Sequence, residues 1–245
     1  MGIELIAAPG ALVPRQETEL LGYTALEAIR ACDTASPRVV DMCCGSGNLV
    51  CALALHAPAA LYWASDLTDS CIAVTRRNVE QLGMSQHVAV AQGDLFGGLA
   101  GLGLEGTVDI VVCNPPYISQ AKLAGERAEL LEHEPREAFD GGPYGLTVHR
   151  RMIREASAFL RPGGMLLLEV GLGQGRQLAQ LATRARVYED IQLVCNHAGE
   201  VRVVSMRKAA STSDATSDAT PDATADPAPD LVRDRQQPPA GDDTQ

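Results

Sequence analysis

The 245 residues, 46% of them hydrophobic, are enough for one α/β domain with a substantial core. A net charge of −11 and a pI near 4.9 argue against a long basic face for nucleic acid, so no direct DNA binding is expected. Residues 1 to 11 lack the basic-then-apolar order of a secretory signal, and no apolar run approaches membrane-spanning length; a soluble, cytoplasmic protein is expected. The seven cysteines, Cys32, Cys43, Cys44, Cys51, Cys71, Cys113 and Cys195, form no matched C-x-x-C pairs, so no metal is expected and reduced thiols fit better.

Between residues 36 and 208 strand and helix signals alternate, the pattern of a parallel sheet with crossover helices. Val39 to Asp41 reads as a short strand ending in a Gly-rich turn, and Leu49 to His56 as a helix stopped near Pro58. A second strand follows at Leu61 to Ser65, then a helix through Ile72, Val79 and Leu82 closed by Gly83. Val88 to Ala91 and Val108 to Cys113 are the third and fourth strands. Helical periodicity from Val148 to Leu160 gives way to a turn at Arg161 to Gly164, ahead of a strand from Met165 to Val170. The helix Gly175 to Arg184 precedes two last strands, Val187 to Val194 and Val201 to Met206. Seven strands with a closing hairpin suit the α/β, doubly wound, mostly parallel Rossmann-like sheet of class I methyltransferases, with a dinucleotide-binding dehydrogenase as the competing fold.

The domain is expected over residues 1–208, after which the composition changes. Residues 209–245 are Ala, Ser, Thr, Asp and Pro in near-repeating Asp-Ala-Thr units. Leu231 and Val232 are the only large apolar residues there, too few to offset the entropy of ordering, so a disordered acidic tail is expected. Its eight Asp against Arg233 and Arg235 account for six of the net negative charges, leaving −5 for the body.

In "VVDMCCGSGNLVCALAL", Gly45 and Gly47 lie between a strand and a helix, where a backbone without Cβ lets a ligand approach free helix N–H groups. The third glycine of a dinucleotide fingerprint is missing, since Val50 stands there. Asp66 closes the second strand about twenty residues on, placed to accept both hydroxyls of a ribose. Asp94 in "QGDLF" is placed to meet an adenine edge. Without the pyrophosphate glycine, this set favours S-adenosylmethionine (SAM) over NAD.

Beyond the fourth strand comes Asn114-Pro115-Pro116-Tyr117. The prolines have no N–H for a ladder and end the strand. An amide or exocyclic amine is a poor nucleophile because its lone pair is delocalised. Two acceptors, the Asn114 side-chain oxygen and the Pro115 carbonyl, can orient its N–H bonds and favour attack by nitrogen, while Tyr117 offers a ring face to a flat group. Catalysis of this kind is mostly positioning.

The chain resembles the HemK/PrmC family of protein N5-glutamine methyltransferases over about residues 3–207. The matching pieces are "LVPRQETELL", "DMCCGSGN", "SDLTDSC", "GDLF", "NPPYI", "HEPREAFDGGPYGL" and "LRPGGMLLLEVGLGQG". The resemblance implies a class I fold with SAM as donor. It puts Asp41, Cys43, Cys44, Gly45, Ser46, Gly47, Asp66, Leu67, Asp94, Leu95 and Asn114 near the cofactor, and Asn114 to Tyr117 around the substrate amide. Arg15, Glu17, Glu134 and Pro135 are the substrate-side candidates, with His133 beside them. The family's acceptor is a glutamine in the GGQ loop of a translation release factor or in a ribosomal protein. Family members usually carry a helical amino-terminal domain ahead of the core; with eleven residues before Leu12, that domain is expected to be missing.

Protein glutamine methylation is thus the leading expectation. A stand-alone N- or O-methyltransferase of a biosynthetic pathway, acting on a small molecule, is the second. DNA adenine methylation lacks a target-recognition region and a basic surface. A non-catalytic SAM-binding protein would leave the NPPY stretch without a purpose.

Overall fold

The computed structural model describes residues 1–125 and 136–210, so Glu134, Pro135, His133 and nearly all of the expected tail lie outside the described residues. The elements run α1 (Thr18–Arg30), β1 (Arg38–Met42), α2 (Asn48–His56), β2 (Leu61–Asp66), α3 (Asp69–Gln81), β3 (Val88–Gln92) and β4 (Val108–Cys113). They continue with α4 (Gln120–Ala124), α5 (Thr147–Phe159), β5 (Leu160–Glu169), α6 (Gly175–Ala185), β6 (Tyr188–Cys195) and β7 (Val201–Lys208). The strand order is β3-β2-β1-β4-β5-β7-β6, with β7 antiparallel to both neighbours. This is the expected doubly wound sheet with its closing hairpin.

The chemistry of β4 shows why the sheet is covered on both sides. Its six residues are all buried, as parallel strands with helices on each face require. Val111 and Cys113 face one core with Val40, Leu166 and Met206, under Met152 and Phe159 of α5 and Leu178 of α6. Ile110 and Val112 face the other, with Val39 and Leu167, under Leu21, Leu26 and Ile29 of α1 and Leu53 of α2.

One boundary differs from expectation. Arg161 to Gly164 is not a separate turn but part of β5, which pairs Leu160 with Val108 and then, after a register shift, Met165 with Ile110. Arg161 Nε reaches the buried Asp109 Oδ1 at 2.6 Å, and this long-range pair, with the ladder, overrides the local turn preference of Pro and Gly.

Because β1 to β5 run parallel, their carboxyl ends open on one edge of the sheet, where ligands bind in such folds. Antiparallel β7 begins at that edge, which sets Arg202 beside Glu169 at the end of β5.

Two buried titratable side chains leave a signature in solution. His149 on α5 is fully buried, and its Nε2 donates to the Glu169 carbonyl at 2.8 Å. Burial lowers its pKa from 6.5 to about 4, with that hydrogen bond opposing. Asp41 at the end of β1 accepts from the Val50 N–H at 3.0 Å, and burial pushes its carboxyl up to about 8. The unfolded chain binds the extra His149 proton between about pH 4 and 6.5, so this group removes stability as pH falls through that window. The folded chain binds the extra Asp41 proton between 3.8 and about 8, so this group removes stability as pH rises. The two slopes, each ~1.4 kcal/mol per pH unit, oppose each other below pH ~6.5. Above pH ~6.5 the Asp41 slope is no longer opposed by His149, so urea unfolding should show stability declining from there towards pH 8. Asp41→Asn should remove the decline; an Asn variant that still declines would contradict the assignment.

Candidate active site

A cleft of about 500 Å³ opens at the carboxyl edge of the strands, within the ~300–1,000 Å³ range of small-molecule sites. Its floor is the turn after β1, with Cys43, Cys44, Gly45 and Ser46; Asp66, Leu67, Asp94 and Leu95 add one wall, Asn114 and Pro116 another. Leu12, Pro14 and Arg15 close it from the amino-terminal side.

The turn is built for close approach. Gly45 takes φ +56, and a Cβ there would meet nothing within 4 Å, so its bare edge faces the opening. Gly47 is different: at φ +78 a Cβ would lie 2.9 Å from Thr75 Cγ2. It is a packing glycine, and it does not line the cleft. Cys43 takes φ +57 without being glycine, a left-handed conformation that costs ~1–2 kcal/mol. Asn78 ties the turn to the amino-terminal segment, donating to the Ser46 carbonyl at 2.9 Å and the Ile6 carbonyl at 3.2 Å.

Asp66 bridges two loops, Oδ2 accepting from the Gly45 N–H at 2.9 Å and Oδ1 from the Thr68 N–H at 3.2 Å. Each oxygen keeps a lone pair for a diol. Asp94, 61% exposed, accepts from Arg151 Nη1 at 2.8 Å. Asp41, by contrast, does not reach the cleft: it lies behind the turn and caps α2.

At the end of β4 the four candidate residues part ways. Asn114 faces the cleft, and its Nδ2 donates to Thr18 Oγ1 at 3.2 Å. Pro116 joins it; Pro115 is buried behind. Tyr117 is not in the cleft wall: its hydroxyl donates to Glu169 Oε1 at 3.3 Å. Gln174 holds this backbone in place, its Nε2 donating to the Tyr117 carbonyl at 2.9 Å. Glu169, 1% exposed, also faces Arg202 Nη2 at 3.6 Å. Glu17, half exposed, stands 3.9 Å from the same Arg202 nitrogen and does not line the cleft. Burial raises the Glu169 carboxyl, while Thr18, Arg202 and Tyr117 hold it down.

Sequence reading missed Thr18, Asn78, Arg151, Glu169 and Arg202. One signal was available for Glu169: an acid at the end of "MLLLE", where an apolar strand has no use for a charge unless it is paired.

A family model for the methyltransferase small domain matches residues 23–142. A release factor glutamine methyltransferase from Moorella thermoacetica is 37% identical over 202 residues, which is 82% of this chain and 69% of that protein. The chain belongs to the release factor glutamine methyltransferase family. In fold it is similar to the protein-(glutamine-N5) methyltransferase (release factor-specific) of Alicyclobacillus acidocaldarius, with a TM-score of 0.51 at 24% identity, over 83% of this chain and 99% of that one. A 4-amino-L-phenylalanine/4-methylamino-L-phenylalanine methyltransferase from Streptomyces pristinaespiralis is 41% identical over 174 residues, covering 70% of this chain and 57% of that protein. Methyltransferases of this family are SAM-dependent. The residues present suit that donor: an open backbone edge at Gly45, an acid with spare lone pairs at Asp66, and a second acid, Asp94, one strand further out.

Proposed function

We propose that this protein transfers the methyl group of SAM to the side-chain nitrogen of a glutamine in a translation release factor. The observation that carries the reading is Asn114, on the cleft wall with its amide nitrogen engaged by Thr18 at 3.2 Å, so that Oδ1 is the end left for a substrate. Bound SAM supplies an electrophilic methyl group on a sulfonium. Asp66 and Asp94 hold its sugar and base, and Gly45 gives its tail room. Asn114 Oδ1 accepts one N–H bond of the substrate amide, and the backbone carbonyl of Pro115, although that residue is buried behind the wall, is the second acceptor of this reading; together they turn the nitrogen rather than the oxygen towards the methyl. Holding the reactants in line can supply several kcal/mol of the barrier reduction. No strong base is required, because the amide nitrogen sheds its proton to water once alkylated. Tyr117, anchored through its hydroxyl, keeps the loop in shape, and Arg15 and Glu17 flank the acceptor's approach. Among the described residues no helix is long and apolar enough to cross a membrane.

The relative that methylates an amino-phenylalanine favours a second reading, in which the same pair of acceptors holds an arylamine. Both are tested by incubating the protein with methyl-labelled SAM and, in separate reactions, release factor, ribosomal proteins and 4-amino-L-phenylalanine. Label in release factor is expected. Label only in the small amine would replace the first reading by the second, and label only in ribosomal protein would correct the acceptor.

A further inference from the structure

Gln174 opens α6 at the position where a side chain ordinarily satisfies the helix's own free N–H groups, yet it makes no such bond. Its amide is spent elsewhere. Oε1 accepts from the Gly171 N–H at 2.9 Å, while Nε2 donates to the Tyr117 carbonyl at 2.9 Å and the Gly145 carbonyl at 3.3 Å. Only one orientation of the amide serves all three, because a flip would set its oxygen against two carbonyls. One side chain thus joins the loops after β4, before α5 and after β5.

The first two of these loops are already paired with each other. The Ile118 N–H donates to the Phe139 carbonyl at 2.9 Å, and the Gly141 N–H to the Ile118 carbonyl at 2.8 Å. The Gln120 N–H adds a third bond, to the Gly142 carbonyl at 3.1 Å. Glycines crowd Tyr117 on every side: a Cβ on Gly145 would collide with its carbonyl oxygen, and one on Gly141 would lie 2.8 Å from its Cα. A Cβ on Gly171 would stand 3.0 Å from the Tyr117 ring. The paired loops bring Asn114 and Pro116 to the cleft from one side and Gly142 and Thr147 from the other. Gly45 and Asp66, on the cofactor side, belong to other strand ends.

We infer that Gln174 is a positioning residue that latches the acceptor half of the cleft to the sheet and leaves the cofactor half alone. The latch deepens the proposed methyl transfer and rests on it for the kinetic half of its test. Gln174→Glu keeps the shape and the acceptor for Gly171 but loses both donors. Gln174→Met keeps the length and loses all three bonds. With release factor, each should lower kcat about 10- to 100-fold, the scale of a misplacement near 1 Å, with SAM Kd within about twofold of wild type. The unchanged Kd shows that the domain has folded. A residue that only stabilises would lower Tm and leave kcat per SAM-binding molecule unchanged.

Hydrogen exchange tests the latch without activity. In the wild type the Gly171 amide should be protected. In Gln174→Met, peptides over 117–125 and 139–147 should exchange about tenfold faster or more, while those over 43–51 keep the wild-type rate. Wild-type kcat in both variants, or a freely exchanging Gly171 amide in the wild type, would overturn the latch. So would faster exchange that includes 43–51, which would make Gln174 a support of the whole domain. Absence of methyl transfer by the wild type would count against the proposed function, while the exchange pattern would still decide the latch.

Discussion

Asn114→Ala is expected to lower methyl transfer more than a hundredfold while leaving the fold intact. The side chain follows the last residue of β4 and belongs to neither hydrophobic core, so its removal opens no cavity between sheet and helices. Thr18, left without its partner at 3.2 Å, lines the cleft that the missing side chain would widen. Tm should therefore move by no more than a few degrees. What is lost is one of the two acceptors that hold the substrate nitrogen in line, which should cost ~3 kcal/mol or more in the transition state. Asn114→Asp is the sharper comparison. It keeps the outward oxygen but puts a second oxygen where the amide nitrogen had donated to Thr18 Oγ1. Weak activity in Asp with none in Ala is the expected order. An alanine variant above a tenth of wild-type turnover would reduce the NPPY stretch to a turn.

Asp66→Ala should weaken SAM by ~2–3 kcal/mol, roughly 30- to 150-fold in Kd by calorimetry. Two losses combine. The ribose loses its acceptor, and the Gly45 and Thr68 N–H groups lose the carboxylate that pins the two loops at 2.9 and 3.2 Å. Asp94→Ala should do far less, ~1 kcal/mol or under, because Asp94 is 61% exposed and its ion pair with Arg151 is screened by water. Equal effects from the two acids would show that the cleft is not organised around Asp66.

The framework of this fold is legible because parallel strands bury both faces. Val108 to Cys113 announces itself as a run apolar at every position but Asp109, and the carboxyl ends of such strands are where ligand-binding turns belong. The acids were harder. Asp41 and Asp66 both end strands beside the Gly-rich turn, and no local pattern tells an acid that caps its own helix from one that bridges loops at the opening. Only the three-dimensional contact of Asp66 with Gly45, 21 residues away, makes the distinction. The support behind Asn114 is more remote still: Thr18 lies 96 residues earlier in the chain, a spacing that periodicity cannot register. Arg161 to Gly164 failed for the opposite reason. Its local turn signal was strong, and the β4–β5 ladder together with the Arg161–Asp109 pair outweighed it.

The central claim is that this cleft aims a nitrogen of a protein side-chain amide at a methyl donor, and tandem mass spectrometry of release factor treated with the protein and SAM tests it most directly. One methyl group is expected, on the side-chain nitrogen of a single glutamine, and absent when Asn114→Ala replaces the wild type. A release factor that remains unmodified, or that carries its methyl group on any other kind of side chain, would contradict the account.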